Sequence, residues 1–103
     1  MLKTLESFGL ARKDAEVYVY LAKTGPQKVT EIINSLKIRK RQVYPILKNL
    51  QRRGMVTVSL EKTTFFSALA FEKTLDLLVK ANIEQAKIIK EIKEELMSRS
   101  GLE

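Results

Sequence analysis

Residues 37–54 read KIRKRQVYPILKNLQRRG, a segment with seven positive side chains and no negative one. The formal net charge of the whole chain is +7, and the charges outside this segment cancel, so the segment supplies the entire excess. Its apolar residues recur at helical spacing, at Val43, Ile46, Leu47 and Leu50. A basic helix with an apolar back is suited to a groove lined by phosphates.

The composition of the chain predicts one soluble domain with room for an appended element, since it has 103 residues, 45% hydrophobic and 30% charged. A pI near 9.8 favours a polyanionic partner, nucleic acid before membrane. No apolar run reaches transmembrane length and no signal-peptide core follows Lys3, so we expect a cytoplasmic protein with no membrane partner.

Cysteine and histidine are both missing from the chain. Their absence excludes a disulfide framework, a thiolate metal site and every catalytic triad that needs an imidazole. No cluster of carboxylates replaces them. We therefore expect no enzyme, no metal and no cofactor.

Two helices are predicted ahead of the basic segment, over residues 11–24 and 29–36, preceded by one or two helical turns in residues 1–8. Gly25-Pro26 ends the first of these helices. Lys37-Ile38 is a tight connection into the basic helix, which is expected to begin near Arg39 or Lys40 and to end at Arg53-Gly54.

Pro45 conflicts with this helix, because it lacks a backbone donor and clashes with the carbonyl four residues earlier. Either the helix starts later, near Val43–Tyr44, or its first turn is distorted. We favour a start near Lys40 with a local irregularity.

After Gly54 the apolar pattern changes to period two and predicts a β-hairpin, with strands in 55–60 and 64–68 and a turn at Glu61-Lys62-Thr63. We expect at least two of Phe65, Phe66 and Phe71 to pack this hairpin against the core.

A long helix is predicted from residue 71 to about 98, with a seam at alternating spacings of three and four that is typical of a coiled coil. About 26 residues of such a helix extend about 39 Å, which a small domain cannot cover, so the far end needs a partner. Asn82 is either a buried amide that fixes register or faces solvent beside a true seam through Val79 and Ile83, and the second is favoured. The predicted dimer interface is Leu75, Leu78, Val79, Asn82, Ile83, Ala86, Ile89, Ile92 and Leu96.

Helices followed by a two-stranded hairpin form a mostly α fold, a winged helix-turn-helix in residues 1–70, with a long dimerisation helix in residues 71–101. The third helix of that motif is expected in the major groove and the hairpin, or wing, near the DNA backbone. Leu102-Glu103 resembles a remnant of an expression vector and is left out of this division.

The predicted DNA-binding side chains come from the basic segment and the hairpin turn. Those at the N-terminal end of the basic helix are expected to contact base edges. The weaker alternative is that this basic face contacts only solvent, because solvated helix faces usually carry both positive and negative side chains. Lys62 is equally well explained as a plain turn residue. The set is Lys37, Arg39, Lys40, Arg41, Gln42, Tyr44, Lys48, Arg52, Arg53 and Lys62.

A series of short motifs occurs in order, namely Gly9-Leu10, Asp14-Ala15-Glu16-Val17-Tyr18, Leu21, Gly25-Pro26, Glu31-Ile32, Arg41-Gln42-Val43-Tyr44, Leu47, Leu50 and Arg53-Gly54-Met55-Val56. This series resembles the winged-helix domain of the TrmB family of archaeal transcriptional regulators, over about residues 5–80. The resemblance implies double-stranded DNA as the partner. Larger members carry a C-terminal sugar-sensing domain, and this chain ends after one helix, so no small-molecule effector is expected.

The resulting hypothesis is a homodimeric DNA-binding transcriptional regulator. Two alternatives stay open: a winged helix that binds a protein within a transcription complex, and a chromatin-type binder without sequence specificity.

Overall fold

The computed structural model describes the backbone of residues 1–101 and the side chains through Ser98. Two antiparallel strands form its sheet, and the fold class predicted from the sequence is confirmed. The predicted vector remnant, Leu102-Glu103, lies outside the described residues. The elements are α1 (Leu2–Ser7), α2 (Arg12–Thr24), α3 (Val29–Leu36), α4 (Lys40–Arg52), β1 (Val56–Leu60), β2 (Thr64–Ala68) and α5 (Phe71–Gly101).

The core forms where the apolar faces of α2 and α4 meet, with α1, α3 and the hairpin packed around them. Val17 and Tyr18 of α2 and Val43 and Leu50 of α4 are fully buried. These are the positions that the helical spacing placed on one face of each helix. The opposite face of α4 is therefore left to solvent.

Helix α4 begins at Lys40 and continues through Pro45, so the predicted start is confirmed and a start at Val43–Tyr44 is wrong. Gly54 follows with a φ of 79°, the left-handed conformation predicted to end the helix. Lys37 also adopts a left-handed backbone, with a φ of 53°. Side chains with a Cβ rarely take this conformation. The predicted connection at Lys37-Ile38 thus coincides with the end of α3, but its left-handed backbone was not predicted.

The hairpin is attached to the helices through the segment before α3. Gln27 and Phe66 exchange two backbone hydrogen bonds, of 3.0 and 2.8 Å. Phe66 is buried and Phe71 packs against the core, which confirms the prediction for two of the three phenylalanines. The wing is thereby fixed relative to α3 and α4.

The start of α5 is held by the hydroxyl of Tyr18, which donates a hydrogen bond to the Leu69 carbonyl and lies 2.9 Å from Thr74 Oγ1. Because the tyrosine hydroxyl has one hydrogen, Thr74 acts as the donor in the second contact. Thr74 is fully buried, so both hydroxyls are satisfied inside the core.

Beyond its first two turns, α5 leaves the core. Every side chain in residues 79–98 is exposed, and the molecule measures 62 × 28 × 28 Å. Leu75 is half-buried and Leu78 is only 5% exposed. Leu78 packs in the core of its own chain, so little of its side chain is left for the predicted dimer interface. Within residues 1–101, no helix is both long and apolar enough to cross a membrane.

We expect the stability of the fold to decrease in alkali because of Tyr18. Burial raises the pKa of Tyr18, and the hydrogen bond with Thr74 opposes that effect only in part. A raised folded-state pKa stabilises the fold below the unfolded value of about 10. That contribution is lost as the pH rises through the folded-state pKa.

The measurement is urea unfolding of the wild type and Tyr18→Phe between pH 7 and 11. At neutral pH the variant should lose about 1–2 kcal/mol, since the Leu69 carbonyl and the Thr74 hydroxyl lose their partner. The difference should shrink above pH 10, while lysine titration affects both proteins equally. A difference independent of pH would contradict this account.

Candidate nucleic-acid interface

The exposed face of α4 is defined by the four residues buried on its other side. Successive residues of an α-helix are rotated by about 100°, so residues three, four or seven positions apart share a face. One such set of side chains lies opposite the buried residues of α4. All of them are exposed. We call this set the outer face of α4; it consists of Arg41, Tyr44, Pro45, Lys48 and Arg52.

The remaining predicted residues of α4 lie at the edges of the outer face. Lys40 opens the helix and Arg53 caps its end. Gln42 is turned towards α2 and lines an open groove of about 560 Å³ together with residues 11–14 at the start of that helix. Arg41 and Pro45 of the outer face line the same groove, so Gln42 borders the outer face on the side of α2.

Three predicted residues precede or follow α4 in the chain. Lys37 and Arg39 lie in the connection from α3, where Arg39 is the N-cap of α4 with an extended backbone. Lys62 lies in the exposed turn of the hairpin, on a separate element. All ten predicted side chains are exposed, but only four of them share the outer face.

The positive charge of this surface has no carboxylate neighbour among the side chains that the structure describes. Among the described residues, none of the seven cations of residues 37–53 lies within ion-pair distance of a carboxylate. Arg12 shows the opposite arrangement, with Glu6 at 3.2 Å and Glu16 at 3.1 Å. The outer face can therefore attract a polyanion at full charge.

A side-chain network connects α2 to the outer face, and the sequence did not predict it. Asn49 donates from Nδ2 to Asp14 Oδ2 at 2.6 Å, and Asn49 Oδ1 accepts a hydrogen bond of 2.7 Å from Arg52 Nη2. By its position alone, Asp14 is a first-turn charge that complements the dipole of α2. The one signal was Asn49 itself, a polar residue between buried positions of α4.

A further cation lies beside the wing. Lys28 Nζ is 5.9 Å from the centre of the Phe65 ring, a cation–π distance. Lys28 precedes α3 and was not in the predicted set. The described side chains contain no group of three or more acidic residues that could hold a metal ion.

A model of the family described as sugar-specific transcriptional regulator TrmB matches residues 5–72. A sugar-sensing transcriptional regulator, TrmBL1 of Pyrococcus furiosus, is 33% identical over 58 residues, which are 56% of this chain. The match spans only 17% of the length of that regulator.

Several solved structures share the fold. TrmBL2, described as an archaeal chromatin protein with a novel mode of DNA binding, superposes with a TM-score of 0.84 at 21% identity, over 96% of this chain and 38% of TrmBL2. The transcriptional regulator Tm0710 of Thermotoga maritima has a TM-score of 0.61 at 21% identity, over 95% of this chain and 83% of its own. Reduced AbfR bound to DNA has a TM-score of 0.58 at 19% identity, over 91% and 75%.

We expect Pro45→Ala to stabilise the protein. Pro45 is the sixth residue of α4 and is exposed, so alanine fits without repacking and restores the bond from residue 45 to the Arg41 carbonyl. The gain should be about 1–2 kcal/mol, since the full cost of an interior proline is offset in part by the greater freedom of the unfolded chain.

Urea unfolding measures this gain, with Gln51→Ala as the control because Gln51 is exposed on the same helix. The control should change the free energy of unfolding by less than about 0.5 kcal/mol. A Pro45→Ala variant no more stable than the wild type would show that α4 accommodates the proline without cost.

Proposed function

Because the chain belongs to the TrmB family of transcriptional regulators, we propose that it binds double-stranded DNA as a homodimer, with α4 in the major groove and the wing at the DNA backbone. The family resemblance seen in the sequence is confirmed for residues 5–72, and so is the prediction that the chain is not an enzyme. The observation that carries the proposal is the outer face of α4, which is positive and without compensating carboxylates among the described residues.

In this binding mode the two ends of α4 have different tasks. Arg41 and Tyr44 lie on the outer face near the helix start, where side chains reach base edges, and arginine can bind guanine with two hydrogen bonds. Lys48 and Arg52 lie towards the other end and would contact phosphates. Contacts at the edges of this surface are proposed for Lys37, Arg39, Lys40, Gln42, Arg53 and, on the wing, Lys62.

The dimer would form through α5. Six exposed apolar residues follow one another at spacings of 4, 3, 3, 3 and 4, namely Val79, Ile83, Ala86, Ile89, Ile92 and Leu96. We call this set the α5 stripe. Its mean spacing of about 3.4 is below the 3.6 residues of a helical turn, which favours left-handed winding of two helices.

Asn82 lies outside the α5 stripe and is proposed to face solvent at the edge of the dimer. Residues 1–70 are proposed as the DNA-binding part of the chain. The continuous exposed run of α5, residues 79–98, would be only marginally stable as a lone helix in water, so pairing supplies the missing packing. Two copies of α4 would then bind half-sites related by a two-fold axis.

Chromatin-type binding without sequence specificity is the second candidate, favoured by the TM-score of 0.84 with TrmBL2. Selection from a pool of random duplexes separates the two. A recovered two-fold symmetric motif supports the regulator, and unselective recovery supports the chromatin-type protein.

We expect Arg41→Ala/Lys48→Ala to weaken duplex binding at every salt concentration. Loss of Lys48 should reduce the magnitude of the negative slope of log K against log salt by about 0.9, since one phosphate is no longer neutralised, and loss of Arg41 removes base contacts. The control is Lys80→Ala/Lys87→Ala, which removes the same charge from exposed positions on α5. If both double variants bind alike, α4 is not the DNA-binding helix.

We expect Ile89→Glu to make the protein monomeric, because a buried carboxylate would face its copy across the α5 stripe. The control, Lys87→Glu, places a carboxylate about 200° around the same helix and should leave the dimer intact. Sedimentation velocity over a concentration series measures both. A dimeric Ile89→Glu, or a monomeric wild type, would remove α5 as the dimerisation element.

A further inference from the structure

We propose that Asp14 and Asn49 are positioning residues, which hold the Arg52 guanidinium in place for a DNA phosphate before DNA binds. The inference rests on the proposed function and assigns a DNA-related role to two residues that need not touch DNA. Asp14 belongs to α2, 35 residues away from Asn49 in the chain. Helix α2 is thus connected to the outer face of α4 through the side-chain amide of Asn49.

The orientation of that amide follows from its two neighbours. An ionised carboxylate only accepts hydrogen bonds and a guanidinium only donates them. Asn49 must therefore direct Nδ2 to Asp14 and Oδ1 to Arg52, as the distances of 2.6 and 2.7 Å show. Exchanging the two amide atoms would break both bonds.

The amide also keeps the two charges apart. Asp14 and Arg52 form no ion pair, so the carboxylate orients the arginine through Asn49 without neutralising it directly. The contrast is Arg12, which contacts two carboxylates. Arg52 uses Nη2 for Asn49 and retains most of its five N–H donors.

Holding Arg52 in advance matters because arginine loses much side-chain freedom when it binds. A side chain that is already ordered loses less on association, so affinity increases without a new contact. Arg52 is exposed in the last turn of α4, on the outer face, where a phosphate contact is proposed. Its position thus links the network to binding rather than to the core.

The experiment compares Asp14→Asn with Asp14→Ala. Both remove one negative charge, but only asparagine retains an oxygen that can accept from Asn49 Nδ2. Asp14→Asn should bind duplex DNA at least as tightly as the wild type. Asp14→Ala should bind about three- to tenfold more weakly than Asp14→Asn, the range expected for ordering one long side chain. Asn49→Ala should show a similar loss relative to the wild type.

The DNA affinities of the same two Asp14 variants are then measured in proteins that also carry Arg52→Ala. In that background the difference in affinity between them should vanish. Arg52→Ala should also reduce the magnitude of the negative slope of log K against log salt by about 0.9, whereas Asp14→Ala should leave that slope unchanged. A general structural role would weaken binding whether or not Arg52 is present. Thermal unfolding of each variant checks that the fold is intact.

Two results would overturn the inference: equal binding by the two Asp14 variants, or a difference that persists without Arg52. Either result leaves the proposed function standing if the wild type binds DNA and Arg41→Ala/Lys48→Ala weakens it. Failure of the wild type to bind any duplex at low salt would remove the proposed function and this inference together.

Discussion

The Tyr18 hydroxyl is the point where the helical core and the long helix are joined. Its side chain is fully buried, so the polar group at its end needs partners inside the protein. It finds them in the Leu69 carbonyl and the Thr74 hydroxyl, on either side of the start of α5. The direction in which α5 leaves the core is therefore set by a buried hydrogen-bond pair, and the position of any second copy would depend on it.

Charge is distributed differently along the two helices that are proposed to bind partners. On α4 the cations have no carboxylate partners among the described residues, and the arginine of the last turn is oriented through an uncharged amide. On α5 lysines and glutamates are both interspersed among the exposed apolar residues. The first arrangement retains a field that attracts phosphates, and the second keeps a long exposed helix in water.

The local features of the fold could be predicted because each depends on neighbouring residues. The start of α4 at Lys40 follows from apolar spacing, and the left-handed Gly54 follows from the lack of a Cβ. Lys37 could not be predicted in the same conformation, since a residue with a Cβ rarely adopts it. Pro45 was the one local conflict, and α4 continues through it on its exposed side.

The sequence by itself determined the order of elements, the concentration of positive charge in residues 37–53 and the apolar periodicity of α5, because these are properties of residues close in the chain. Only the tertiary structure decided which residues share a surface. It placed Leu78 in the core and left Val79 exposed, and it joined Asp14 to Asn49 across 35 residues. Such contacts depend on how helices rotate and pack against one another, which a one-dimensional pattern does not contain.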